Sequence, residues 1–484
     1  MSAVNSPIIY WFRQDLRLSD LPALLTASAT GRPVVACYVL DDEAPGEWAM
    51  GSASRWWLHH SLTSLQADLS RIGGRLVLRS GRTLDVLESL VAETGATAIY
   101  CSRQYEPWAA ALENAAHEFL QKSAVDLKRF PGSLLFEPES IKNQSGLPFK
   151  VFTPFWRACR RQGVDLPRAE PENTVWHADP VVSEQLEDWA LLPKRPNWAE
   201  GFESLWQPGK AGADARIQHF FKVSIENYSE GRNHPSLETT TRLSPHIHFG
   251  EISPREIWQA AMHALHEQSV QQDQVDKFLS ELGWREFSYH LLSHFPQLPE
   301  APFKTQFTAF PWLGTPAALT AWQRGQTGYP IVDAGMRELW HTGYMHNRVR
   351  MIVASFLTKH LLVHWRAGAN WFWDTLLDAD LASNSSGWQW VAGSGADASP
   401  YFRIFNPIIQ GEKFDKQGDY VRHWVPEIAG LPNKYLHQPW EASAEILSTV
   451  GISLGEDYPH PIVDHREARE AALSAYGSIK GVQA

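Results

Sequence analysis

Residues Asp378 to Asp415 read DADLASNSSGWQWVAGSGADASPYFRIFNPIIQGEKFD. Acids, amides, several glycines and an aromatic-rich segment around Arg403 share the stretch with Trp388 and Trp390. No helical or strand periodicity runs through it for long enough to be ordinary core. A long polar segment of this kind is costly, because each backbone N–H and C=O needs a partner. A ligand or substrate is the usual reason to keep one, so the rest of the chain is read outward from here.

A chain of 484 residues is too long for one small core, and two or three domains are expected. Its 44% hydrophobic and 20% charged content is that of a globular protein in water. The 22 tryptophans stand out, since each indole must place an N–H as well as a large ring. Packing, stacking on planar ligands and electron transfer all use them. The net charge of −11 argues against a general nucleic-acid coat but leaves room for a local basic groove. Cys37, Cys101 and Cys159 are odd in number and widely spaced, which suggests neither a disulfide framework nor a zinc site and fits the cytoplasm. No signal peptide is read at the start, and no run of about 18 apolar residues offers a membrane span.

Short apolar runs at Ile8–Phe12, Val34–Leu40, Arg75–Leu78 and Thr97–Cys101 alternate with helical patterns. Between the second and third runs, Leu58, Leu62, Leu65, Leu69 and Ile72 fall on one helix face. This alternation predicts an α/β domain with a Rossmann-like parallel sheet over residues 1–135. Residues 136–213, proline-rich and weakly periodic, are expected to be a connector pinned by Trp176, Trp189, Trp198 and Trp206. From 214 to 484 the pattern is helical, predicting an all-α domain. Ser253-Pro254-Arg255-Glu256 is a helix start with a capping box. Upstream, Thr240, Thr241, Arg242, Leu243 and Ser244 gather hydroxyls, N–H groups and a guanidinium that can hold a pyrophosphate. Taken alone, a hydroxyl-rich surface loop is the plainer reading. Glu281, Trp284 and Arg285 share a face of a helix spanning Lys277–His290. Val332–Trp365 reads as a later helical stretch, with Asn347 and Met351 one turn apart. Gly393–Ala398 formally matches a dinucleotide fingerprint and Gly451–Gly455 a nucleophile elbow; neither has the required strand context, and both are discarded. No HExxH or CxxC is present, so no metal site is assigned.

Five blocks together resemble the DNA photolyase and cryptochrome family: WFRQDLRLSD, TTRLSPHIHFGEIS, ELGWREF, YPIVDAGMRELWHTGYMHNRVRM and LASNSSGWQWVAGSGADASPYFRIFNP. The resemblance covers about Ile9 to Pro426 and is most like a bacterial photolyase for cyclobutane pyrimidine dimers, in the subclass related to plant cryptochromes. It implies an α/β antenna domain and a helical domain holding FAD. Tyr228 and Thr240–Ser244 correspond to the FAD phosphate site. Arg285 counts among the cofactor residues, as do Glu281 and Asn347. Arg350 and Asp378 correspond to a buried ion pair beside the flavin ring, Asp380 to an acceptor for ring N–H groups, and Asn384 to the residue facing flavin N5. Plant cryptochromes carry Asp at that last position. Trp388, Trp365 and Trp312 match the family's tryptophan chain for flavin reduction; any one of them alone would be read as core.

On the substrate side, Glu281, Trp284, Asn347, Met351 and Trp390 match the cavity for a flipped dimer in UV-damaged DNA. Arg232, Arg348, Arg403, Gln410 and Lys413 are candidates to hold phosphates. Neither Asn347 nor Met351 can donate a proton as an acid, which favours the cyclobutane dimer over the 6-4 photoproduct. Glu106 resembles the acid that holds a methenyltetrahydrofolate antenna, with a deazaflavin as the alternative. A monomer is expected. Two rivals stand beside repair: a cryptochrome-type blue-light photoreceptor on the same fold, and a light-independent flavin oxidoreductase, which lacks a nicotinamide site.

Overall fold

The computed structural model describes residues 6–267, 270–397 and 402–480. Residues 398–401, part of the stretch quoted at the outset, lie outside them. The chain forms two compact units: Met1–Glu226 with Thr241–Pro296 and Leu377–Asp380, and Asn227–Thr240 with Gln297–Leu376 and Leu381–Ala484.

The first unit is built on a five-stranded parallel sheet: β1 (Ile8–Phe12), β2 (Val34–Leu40), β3 (Leu76–Ser80), β4 (Ala98–Ser102) and β5 (Asp126–Phe130), in the order β3-β2-β1-β4-β5. Helices α1 (Pro22–Ala29), α2 (Ser52–Arg71), α3 (Thr83–Thr94) and α4 (Pro107–Gln121) connect the strands. Every residue of β1 and β2 is buried, the pattern of strands covered on both faces, so the sequence shows them as unbroken apolar runs. The edge strand β5 (DLKRF) buries Leu127 alone and exposes Asp126, Lys128 and Arg129, and this charge hid it from a search for apolar runs. The expected face of α2 holds: Leu58, Leu62, Leu65 and Leu69 are at most 1% exposed.

The segment 136–213 is laid against this sheet domain. Val34 exchanges backbone bonds with Val175 and His177. The Trp176 indole donates to Ile72 O at 3.1 Å, and Trp206 packs on Trp57 with ring centroids 5.5 Å apart. Trp189 reaches Glu184 and Tyr38, and Trp198 reaches Phe202. The same segment contains α5 (Phe152–Gln162), whose buried Phe152, Phe155, Trp156 and Cys159 were not recognised as a helix face. Two of the longer helices of the unit lie beyond this segment. The predicted capping box opens α6 (Pro254–His266), with Ser253 and Glu256 satisfying each other's backbone N–H. The 23-residue α7 (Gln272–His294) is longer than the stretch read from sequence.

In the second unit, the stretch read as helical from Val332 to Trp365 is broken into pieces. Helix α8 (Pro330–Thr342) stops at Gly343, which takes the left-handed φ of +65° that ends helices. The His346 side chain caps α9 (Asn347–Ser355). A wide five-residue π-turn, Phe356–His360, follows, and Trp365 opens α10 (Trp365–Thr375). The quoted stretch, read as lacking core periodicity, contains α11 (Leu381–Ala392) and α12 (Pro407–Phe414). The buried positions of α11 include Ser385 and Gln389 beside Leu381, Ala382, Trp388, Val391 and Ala392, so polar side chains interrupt its apolar period. Among the described residues, no helix is long and apolar enough to cross a membrane, and no group of three or more His, Cys, Asp or Glu side chains is placed to hold a metal.

Candidate cofactor and nucleic-acid sites

In the first unit, the centre of the polar chemistry is Asp380, 6% exposed. The Tyr289 hydroxyl donates to it, and His248 Nδ1 lies 3.7 Å away. Burial works against the charge, but His248, Arg285 and Tyr289 together hold the carboxyl well below the usual range. Asp380 is thus a fixed acceptor at any working pH. Arg285 reaches it through charge, packing over the Tyr289 ring at 4.8 Å and pairing with Glu286 at 3.2 Å. Sequence reasoning missed Tyr289 and His248. Tyr289 lies one turn beyond Arg285 on α7, and His248 ends the short helix after the hydroxyl-rich turn, so spacing was their available signal.

Glu106 is 3% exposed, and its carboxylate accepts the Tyr105 N–H at 3.2 Å. Burial raises its pKa, and the charge on Asp380 raises it further. Its surroundings are the Asp380 cluster of the interior.

On α7, Glu281 pairs with Lys277 at 3.1 Å. One turn on, Trp284 lies flat on Phe152, with centroids 3.8 Å apart and planes within 8°. Phe152 opens α5, whose Trp156 packs so closely on α7 that a Cβ at Gly283 would meet it at 2.6 Å. One plane of the half-buried Trp284 indole is therefore set by the protein. In the hydroxyl-rich turn, Arg242 takes the left-handed region at φ +50°, and Leu243 N–H donates to Thr241 Oγ1 at 3.2 Å. Asp378 is buried at 9% exposure.

In the second unit, Trp388 on α11 is 3% exposed and rests on α10 at Gly368, where a Cβ would come within 2.1 Å of the indole. Trp365 stands one turn before Gly368 on the same helix. Its ring stacks with His364 at 5.6 Å, and His364 meets Trp312 at 4.9 Å. His364 thus links buried Trp365 to half-buried Trp312, while buried Trp388 packs against Trp322 and Phe372 of the same unit. Asn384 stands one turn before Trp388 on α11, and its Nδ2 donates to Ala369 O at 3.0 Å. A carbonyl can only accept, so this bond uses one hydrogen of the amide nitrogen and leaves Oδ1 as an acceptor. Between the two tryptophans of α11, the fully buried Gln389 takes the Phe303 N–H and donates to Leu298 O and Ala301 O. This ties the end of the helix and the Trp390 wall to the preceding loop.

The basic residues of this unit gather partly around one ring. Arg348 packs over Phe414 at 4.3 Å, donates to Asn233 Oδ1 at 2.6 Å, and reaches Met351 Sδ at 3.8 Å. Lys413 lies 5.1 Å over the same ring. Arg232 stands over Tyr228 at 5.9 Å, Gln410 lies on α12, and exposed Asn347 begins α9. Arg350 Nε donates to Met345 O at 2.7 Å, and its guanidinium lies 5.2 Å from the Tyr344 ring centroid. The Thr239 hydroxyl, next to Thr240, is buried with no hydrogen-bond partner among the described residues. An oxygen-rich ligand would satisfy this orphaned hydroxyl, as the phosphates of a dinucleotide such as FAD would.

Comparison with known proteins bears on the same residues. A family model described as the FAD binding domain of DNA photolyase matches residues 278–478, and one described as DNA photolyase matches 8–172. The deoxyribodipyrimidine photo-lyase of Agrobacterium fabrum is 49% identical, over 99% of each chain. Cryptochrome-2 of Arabidopsis thaliana is 36% identical, over 99% of this chain and 80% of its own. A crystal structure of a bacterial class III photolyase from Agrobacterium tumefaciens superposes with a TM-score of 0.95 at 48% identity, covering 99% of both chains. The Synechocystis cryptochrome gives 0.90 at 30% identity, covering 98% of this chain and all of its own. With near-complete coverage at such identity, the chain belongs to the DNA photolyase and cryptochrome family.

Proposed function

We propose that this protein is a deoxyribodipyrimidine photo-lyase, which repairs cyclobutane pyrimidine dimers in DNA under light. The observation that carries the reading is Asn384. Its nitrogen is held by Ala369, so its oxygen is presented as an acceptor, as a reduced flavin bearing an N–H requires. A carboxylic acid there, as in plant cryptochromes, could instead supply a proton. Reduced FAD, when bound, supplies under light the electron that opens the cyclobutane ring and regains it afterwards.

The residues of this chain do the rest. Asp380, kept ionised by its neighbours, accepts from the flavin ring. Arg285, Arg350 and Asp378 are the charged residues that would balance the ring. Tyr228 and the Thr240–Ser244 turn hold the phosphates, supported by the unsatisfied Thr239 hydroxyl. Trp388, Trp365 and Trp312 are the indoles that would relay electrons inward when FAD is bound. Trp284, with its plane fixed by Phe152, and Trp390 form the apolar walls for the extruded dimer. Glu281 and Asn347 bond base edges, Met351 adds apolar contact, and Arg232, Arg348, Arg403, Gln410 and Lys413 hold phosphates. Residues 1–135, 136–213 and 214–484 serve as antenna domain, connector and catalytic domain. An antenna, methenyltetrahydrofolate or alternatively a deazaflavin, belongs to the first. If Glu106 serves the Asp380 cluster instead, Glu106→Gln alters the flavin spectrum and leaves the antenna load unchanged. The protein is proposed to act as a cytoplasmic monomer, which its three buried free cysteines suit.

The test is direct. The flavin-loaded protein is reduced and illuminated with oligothymidine containing dimers. Recovery of thymine absorbance in light and not in darkness is expected. Intact dimers after illumination would leave the photoreceptor reading instead.

A further inference from the structure

A lysine is rarely buried without a partner, because its ammonium loses its water. Lys359 is 3% exposed. It sits in the π-turn after α9, an irregularity of the kind often found at functional sites. Its Nζ donates to the backbone carbonyl of Arg403 and lies 4.6 Å from the Phe402 ring centroid. Among the described residues no carboxylate pairs with it. One turn earlier, Ser355 Oγ accepts the Phe405 N–H at 3.3 Å. These two side chains therefore grip alternate residues of an irregular strap, residues 402–406, from the inside. The Arg403 side chain is exposed and also has no described acidic partner. Strap and π-turn border a small pocket of about 20 Å³, with Trp390 in its wall.

We propose that Lys359 is a positioning residue for nucleic-acid binding: with Ser355 it anchors the strap so that Arg403 meets a backbone phosphate beside Trp390, and its own protonation is coupled to occupation of that phosphate site. This rests on the DNA reading above and adds to it a second, buried cation.

The coupling follows from charge. Burial, with the Arg403 guanidinium acting in the same direction, lowers the pKa of Lys359 to about 7. The neighbouring His360 is itself pushed down to about 3 by burial, His465 and Lys359, so it is neutral across this range. Arg403 from the strap and His360 from the π-turn are the titratable groups that face Lys359. A phosphate on Arg403 offsets the positive charge and favours the ammonium. Binding then takes up a proton near neutrality, and by linkage affinity falls as pH rises through this range.

The experiment uses flavin-loaded protein and a fluorescent oligothymidine carrying one cyclobutane dimer, at fixed salt from pH 6 to 8.5. Wild type is expected to lose affinity by about five- to tenfold across the range, the size of an ordinary coupling between two sites. Calorimetry in two buffers of different ionisation heat should show proton uptake at pH 7.5. Lys359→Arg, always charged, should hold its affinity at every pH, whereas Lys359→Met should be weak and flat. Arg403→Ala, a surface change, should bind more weakly and also lose the pH dependence. A Lys359→Met or Arg403→Ala protein with the wild-type slope would overturn the proposal. Failure of wild type to prefer dimer DNA would instead sink the repair reading itself.

Discussion

At the scale of single residues, close approach and charge decide what each side chain can do. Gly368 is glycine because the Trp388 indole occupies the space of its Cβ. Gly368→Ala is expected to cost about 1–3 kcal/mol through overpacking and to displace Trp388. Chemical denaturation reads the first effect, and the rate of flavin photoreduction reads the second. Trp388→Phe keeps the packing closer to native but removes the indole. It should slow photoreduction while pre-reduced enzyme repairs almost normally; equal loss of both would remove Trp388 from the reduction path. Glu286 gives a test by pH. Burial raises it from 4.5 to about 7, against the pull of Arg285 and the Leu135 and Phe136 N–H groups. A carboxyl raised in the folded state favours folding while protonated. Its contribution is full below about pH 4.5 and is lost as pH rises to about 7. Wild type should therefore lose on the order of 1–3 kcal/mol relative to Glu286→Gln over that range, measured by urea unfolding at stepped pH.

At the scale of elements, α11 carries the most. Its residues Asn384, Trp388 and Trp390 were identified from sequence, yet the helix that spaces them was not, because its buried positions include amide and hydroxyl side chains. Gln389 explains how such a helix is tolerated: each polar atom of its side chain meets a backbone partner. Gln389→Leu would remove the side-chain partner of the buried Leu298 carbonyl and of the more exposed Ala301 and Phe303 groups, and is expected to cost about 1–3 kcal/mol. A loss below about 1 kcal/mol in thermal or urea unfolding would show that the loop finds other partners. The parallel strands β1 and β2 were legible for the opposite reason, being apolar throughout. β5 and α5 escaped because charge on their exposed sides broke the pattern. Val332–Trp365 was read as continuous, since the left-handed Gly343 and Leu362 and the intervening π-turn interrupt the backbone without interrupting the apolar sequence.

At the scale of the whole molecule, a net charge of −11 has to be reconciled with a polyanionic substrate. Local placement resolves it. Arg348 and Lys413 converge on Phe414, and Arg403 stands exposed on its strap. If Arg232, Arg348, Arg403 and Lys413 each neutralise one phosphate, log K against log salt should have a slope of about −3 for a single strand, at about 0.7 per contact. Charge-removing variants at any one of them should flatten that slope by close to one contact. A slope indistinguishable from zero would place the binding energy in the dimer pocket alone.

The residues by themselves determined the order of an α/β region and a helical region, the aromatic and amide positions of α11, and the absence of acids at Asn347 and Met351. These are matters of local pattern and chemical type, which a sequence carries directly. Only the tertiary structure decided that Tyr289 and His248 hold Asp380 ionised, that Phe152 sets the plane of Trp284, and that Lys359 lies beneath Arg403. Each of those joins side chains from separate elements. Their effect comes from burial and distance, which do not exist until the chain has packed.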